Sequence, residues 1–301
     1  MRKKIGKIHY YGRNGEIILV NERNGAEGAP IVIQSSGYTI DTRTLVEPWI
    51  MTQVRTVPSK DRSELPDPFI FKMKSKAYKL EDCTVYTVYF LPHCEGIKAA
   101  AQDLYNLLES HKFNVNNILF VGHSKGSLLM TEMSKYIPEN ANMLLISPTY
   151  PTVFGDEQLV LKKLEESQDI RRYLIKPIVK IIGSRRRADY DMAPGSQFLK
   201  QLDLEQLSRH NVKLIISDCS CYPEGVFEKV FKTLGDILGL SRSNAGMSGH
   251  DGMCLVNDQF KLEPYCKETI EIKACHQNSF NTSYYWIREE IKRIKEKNKN
   301  K

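Results

Sequence analysis

The chain has 301 residues, is 41% hydrophobic and carries a formal charge of +7, which suits one large domain with a sizeable core rather than a disordered or fibrous chain. Residues 288–301 alone hold seven Lys or Arg against three Glu, a net of +4, so most of the excess charge reads as a frayed, solvated tail. No basic stripe interleaved with aromatics argues for nucleic acid; Arg185-Arg186-Arg187 reads first as a solvated loop, with weak membrane-surface contact through the basic segments as the alternative.

The basic N-terminus leads only into Ile17–Val20, too short for the apolar part of a secretory leader, and no run is long enough to span a membrane. A cytoplasmic location is expected. Seven cysteines without regular spacing argue against a disulfide framework. Cys219-x-Cys221 has no second ligand pair at zinc spacing, so neither a metal nor another cofactor is expected.

In chain order, Ile5–Tyr11 and Glu16–Asn21 flank Arg13-Asn14-Gly15 and predict a hairpin. Ile31-Val32-Ile33-Gln34, between Pro30 and Ser35-Ser36-Gly37-Tyr38, has the continuous apolar character of a buried parallel strand. Pro48, Pro58, Pro66 and Pro68 interrupt residues 41–82, which read as an excursion over the sheet. Within it Trp49, Ile50 and Met51 either line a substrate mouth or pack into the core. Thr84–Leu91 is β-branched and aromatic, a strand. In Gly96–His111, Ile97, Ala100, Leu104, Leu107 and Leu108 recur at helical spacing.

Next comes Ile118-Leu119-Phe120-Val121, which runs into Gly122-His123-Ser124-Lys125-Gly126 and then into helix-spaced Leu129, Met133, Tyr136 and Ile137. Strand, sharp turn and helix in that order form the G-x-S-x-G elbow, which lifts a serine hydroxyl clear of a sheet. A Cβ at 122 or 126 would strike neighbouring backbone, so glycine is needed there. Ser124 is the candidate nucleophile. The Lys125 backbone N–H, with that of Tyr38 at the end of the earlier strand, would form an oxyanion hole; the plainer account of Gly37 is an ordinary strand-ending turn.

Met143–Ser147 is another buried strand. From 149 to 196 the pattern turns helical and amphipathic, and this insertion reads either as a cap over the serine or as helices packed on the main body. Val212–Ser217 and Thr269–Ala274 are later strands, and Ser283–Lys295 a closing amphipathic helix. The alternation of strands and helices indicates a mostly parallel sheet.

A serine needs a base, and the base a carboxylate; in elbow-bearing folds the chain order is serine, acid, histidine. His123 lies within the elbow and His210 precedes a strand, at the wrong end of the sheet. His276, directly after a buried strand, is favoured over His250. Asp251, in a glycine-flanked loop, Asp191 and strand-ending Asp218 all qualify as the acid, with Asp251 favoured by order and location.

These segments resemble the α/β-hydrolase superfamily, in particular its bacterial lipase and esterase branch with a late Asp-Gly acid motif. The likeness rests on Ile31–Tyr38, on Phe120–Leu128, on Ala193-Pro194-Gly195-Ser196-Gln197-Phe198-Leu199, and on Asp251-Gly252-Met253-Cys254-Leu255-Val256. It ranks Asp251 above Asp191 and gives His276 the position of the base. Ser36 stands where a histidine is usual before the oxyanion glycine, and Ser127 where a second glycine usually follows the elbow.

The resemblance implies a twisted, mostly parallel sheet with helices on both faces, in one domain over 1–301 with a cap at about 149–196. It also implies cofactor-free hydrolysis of a small-molecule or lipid carboxylic ester through an acyl-serine. The competing expectations are a hydrolase fold kept as a binding or membrane-associated module, and a serine peptidase or acyltransferase.

Overall fold

In the computed structural model the strands are β1 (His9–Tyr11), β2 (Ile17–Arg23), β3 (Ile31–Ser36), β4 (Thr84–Phe90), β5 (Ile118–His123), β6 (Asn142–Ile146), β7 (Asn211–Asp218) and β8 (Glu268–Lys273). The helices are α1 (Ile97–Ser110), α2 (Lys125–Met133), α3 (Glu157–Glu166), α4 (Gln197–Gln201), α5 (Val256–Gln259), α6 (His276–Thr282) and α7 (Tyr284–Lys299). The structure describes residues 9–36, 82–91, 94–150, 157–168, 170, 172–173, 190–218, 251, 254, 256–274 and 276–299. Outside them lie Gly37 and Tyr38, the excursion with Trp49, Ile50 and Met51, most of the expected cap, Arg185–Arg187, Cys219, Cys221, His250 and Gly252.

One sheet contains all eight strands in the order β1-β2-β4-β3-β5-β6-β7-β8. The hairpin between β1 and β2 and the β2–β4 pair are antiparallel, and every pairing from β4 to β8 is parallel. Because side chains alternate across a strand, central strands that are apolar on both sides feed two cores at once. Ile118 and Phe120 of β5 enter the core beneath α1 and α2. Leu119 and Val121 enter the opposite one, closed by Ile287, Ile291 and Ile294 of α7. Helices therefore cover both faces, as expected, and the carboxyl ends of β3, β5, β6, β7 and β8 all face one rim.

The basic C-terminus is not the frayed tail that its composition suggests. Helix α7 continues to Lys299, because its apolar stripe seats it on the sheet and several of its charges are paired. Glu290, nearly buried, accepts from Lys213 Nζ at 2.9 Å and Arg293 Nη2 at 2.6 Å, and Lys295 reaches Asp82 at 3.1 Å. Among the described residues no helix is long and apolar enough to cross a membrane.

The N-terminal hairpin turn is fastened to α1 by a buried carboxylate. Asp103 Oδ1 accepts from the Asn14 N–H at 3.0 Å and Oδ2 from the Glu16 N–H at 2.9 Å. A Cβ on Gly12 would come within 1.9 Å of the same Oδ2, so glycine is needed for the approach. Hydrogen bonds to a charged acceptor contribute about 1.5–3 kcal/mol each. Asp103→Ala should accordingly lower the unfolding free energy by about 2–4 kcal/mol in urea denaturation, allowing for relaxation around the turn.

Candidate active site

The turn between β5 and α2 is as tight as its glycines require. A Cβ at Gly122 would sit 2.5 Å from the Gly126 carbonyl oxygen, and one at Gly126 would sit 2.1 Å from the Ser35 carbonyl oxygen of β3. Between them Ser124 has φ 58° and ψ −128°, a conformation that costs a non-glycine residue roughly 1–3 kcal/mol. Its N–H donates to the Ile146 carbonyl at 3.0 Å, and its carbonyl accepts from the Ser127 N–H at 2.9 Å. Ser127 fills the place where glycine is usual. Its buried hydroxyl lies 2.9 Å from the Gly122 carbonyl and 3.1 Å from that of Ile146, bracing the ends of β5 and β6.

Lys125 opens α2. Its side chain is buried, with Nζ 4.4 Å from the centroid of the Phe90 ring. Tyr38, the other expected oxyanion donor, lies outside the described residues.

At the same rim, His276 begins α6 directly beyond β8. Its Nδ1 is 2.7 Å from Asp251 Oδ2. A carboxylate only accepts, so Nδ1 carries a proton, and in the neutral ring the lone pair then lies at Nε2. That Nε2 is buried and has no hydrogen-bond partner among the described residues. The Asp251 carboxylate is wholly buried. Oδ2 also accepts from Ser217 Oγ at 3.0 Å and Gln259 Nε2 at 3.2 Å, and Oδ1 accepts from the Cys254 N–H at 2.8 Å. A backbone bond of 2.7 Å, from the His276 N–H to the Asp251 carbonyl, holds the two loops together.

The elbow and this pair meet through His123. Its ring centroid lies 5.1 Å from that of His276, and its Nε2 lies 2.8 Å from the His276 carbonyl oxygen and 3.0 Å from Ser279 Oγ. The carbonyl requires a donor, so His123 Nε2 carries the proton and the residue before Ser124 pins the backbone of His276.

The other candidates lie elsewhere. Asp191 Oδ2 accepts from the Ile97 N–H at 2.7 Å and so caps the start of α1. His210 precedes β7, with Nε2 against the Ser134 carbonyl at 3.0 Å. Asp218 ends β7, where it aligns with Lys273 of β8. Gln259, Ser217 and Ser147, which surround the acid, escape sequence reasoning because isolated polar residues at strand ends and on short helices ordinarily read as caps. Among the described residues no group of His, Cys, Asp and Glu is arranged to hold a metal.

A mostly parallel eight-stranded sheet in this order, with a strained serine at the β5–α2 turn, is the α/β-hydrolase fold. Comparison with solved structures gives the same architecture. Bacillus licheniformis lipase BlEst2 in mature form is 12% identical, with a TM-score of 0.52 over 89% of this chain and 94% of that one. Esterase RhEst1 from Rhodococcus sp. ECU1013 is 9% identical, with a TM-score of 0.51 over 96% of this chain and 100% of that one. No family model matches the chain, and no curated protein matches it at significant sequence similarity.

Burial also fixes the charge state of His123. With its ring enclosed and His276 beside it, its pKa falls from 6.5 to about 3. Between those values the unfolded chain binds a proton that the folded chain refuses. The stability contributed by neutral His123 is therefore complete above pH 6.5 and is lost as pH falls toward 3. Chemical denaturation from about pH 7 to about pH 4.5 should show His123→Gln losing stability less steeply than the wild type, by roughly 1 kcal/mol per pH unit.

Proposed function

We propose that the protein is a serine hydrolase that cleaves a carboxylic ester through an acyl-serine intermediate. The observation that carries this reading is His276 Nε2, an imidazole lone pair without a partner among the described residues, whose opposite nitrogen is held by a buried carboxylate beside a strained serine turn. Buried polar groups are ordinarily hydrogen-bonded, so an unpaired one calls for an explanation, and acceptance of the Ser124 proton is the explanation we propose for this nitrogen. The fold shared with a named lipase and a named esterase is consistent with it.

In this mechanism Ser124 Oγ attacks the ester carbonyl while His276 Nε2 takes its proton. Asp251 keeps the imidazole in the Nδ1–H tautomer and stabilises the imidazolium as it forms. The Lys125 backbone N–H, with that of Tyr38, is assigned to the developing oxyanion, where backbone donors stabilise the charge as it appears. His276 then protonates the departing alkoxide, leaving the acyl group on Ser124. Water enters, gives a proton to Nε2 and attacks the acyl carbonyl; the proton returns to Ser124 Oγ as the carboxylic acid leaves. No step calls for a metal or an organic cofactor.

A fluorophosphonate probe should label the wild type at Ser124 and leave Ser124→Ala unlabelled, as read by mass spectrometry of the labelled peptide. An unlabelled, folded wild type would point instead to a binding module. Hydrolysis of p-nitrophenyl esters of graded chain length should fall roughly 10³-fold or more in Ser124→Ala and by roughly 10²–10⁴ in Asp251→Asn. Labelling without turnover of any ester would redirect the assignment to a peptidase or acyltransferase.

A further inference from the structure

The acid is delivered to the site by an unusual route. Strand β7 ends at Asp218, and Asp251 returns beside that strand end only after a long intervening segment, so the strand itself does not set the position of the carboxylate. What does so is a set of side chains that the hydrolytic steps never touch.

The Ile215 carbonyl accepts from the Ser147 N–H just past the end of β6. Backbone groups alternate sides along a strand, so those of Ser217 also point toward β6, which has already ended. Buried N–H and C=O groups must be satisfied, and the primary amide of Gln259, on α5, serves both. Its Oε1 accepts from the Ser217 N–H and its Nε2 donates to the Ser217 carbonyl, each at 3.1 Å. The second Nε2 hydrogen goes to Asp251 Oδ2 at 3.2 Å. The Ser217 hydroxyl donates to the same oxygen at 3.0 Å. That donation uses its one proton, so Ser147 Oγ, 2.6 Å away, donates to Ser217 in turn. Gln259, Ser217, Ser147 and Asp251 are all fully buried.

We infer that Gln259 and Ser217 are positioning residues for the Asp251–His276 pair: together they lock the carboxylate to the end of β7 and so aim Oδ2 at the imidazole. The inference rests on the hydrolase reading above for its consequence in turnover, but not for its structural content. An amide can bridge a strand end and a carboxylate only because it offers one acceptor and two donors in a plane. A carboxylate at 259 would lack both donors, and an aliphatic side chain would lack all three groups. The His276 ring meets the Asp251 carboxylate at Nδ1 and the His123 ring beside it, so release of Asp251 alters the partner that selects the tautomer.

The test combines ¹⁵N-histidine NMR of the resting protein with ester kinetics, on Gln259→Leu, Gln259→Glu and Ser217→Ala in the full chain. In the wild type, neutral His276 should show the Nδ1–H tautomer alone. In the variants the Nε2–H tautomer should appear, and kcat should fall roughly 10- to 100-fold with KM within about twofold, as expected when a reacting group is misaligned rather than removed. Ser217→Thr, which retains the hydroxyl, should restore the single tautomer. Ser217→Ala keeps every backbone bond to Gln259, so it decides the matter if the Gln259 variants do not fold. A folded variant with the wild-type tautomer and kcat would overturn the assignment of that residue, leaving it a strand cap. Absence of fluorophosphonate labelling in the wild type alongside a tautomer change in the variants would remove the acyl-serine reading and leave the positioning role standing.

Discussion

A carboxylate removed from water must be compensated where it lies, and the site is built around the compensation of Asp251. Its Oδ2 meets an imidazole, a hydroxyl and an amide, and its Oδ1 meets a backbone N–H. Each donor comes from a different part of the fold: α6, the end of β7, α5 and the loop at Cys254. Taking a charge out of water costs several kcal/mol unless well-placed donors replace the solvent. The loops that carry Asp251 and His276 therefore have one arrangement that satisfies the carboxylate. That requirement, more than local propensity, defines where the imidazole stands relative to the elbow.

The elbow supplies the other half of the constraint. Its strain at Ser124 is held by contacts that leave no slack: the Ser35 carbonyl packed against Gly126, the Gly126 carbonyl against Gly122, and the Ser127 hydroxyl against two strand ends. His123 joins the two halves, since a neutral, enclosed ring can donate to the His276 carbonyl without adding a charge that would compete with the imidazole beside it. A polar residue in the middle of a turn thereby acts as a fixed spacer between the Ser124 turn and His276.

Much of this was legible in the residues themselves. The continuous apolar runs at 31–33 and 118–121 announce strands buried on both faces, and two glycines around Ser124 announce a turn in which no Cβ fits. Other features were not legible, for physical reasons. The sequence of α6, His276-Gln277-Asn278-Ser279-Phe280-Asn281-Thr282, has no apolar period, because it is held by serine hydroxyls and by His123 rather than by a stripe. Gln259 looks like any solvated glutamine until the strand end that it satisfies is known. Helix α7 passes its last buried isoleucine at Ile294 and is then polar, which makes a tail of what is a continued helix. Asp191 is equally ambiguous in sequence, since an aspartate that caps a helix 94 positions away is indistinguishable from one that orients a base.

The separation of the two halves along the chain has a further consequence, for synthesis. His276 follows His123 by 153 positions, so β5, its turn and α2 emerge and can pack on β3 and β4 well before that imidazole is translated. During that interval the strained Ser124 turn stands without the imidazole proposed as its base. The proposed site therefore takes shape only once β8, α6 and α7 have joined the sheet, so its assembly is coupled to the docking of the segments that follow β7.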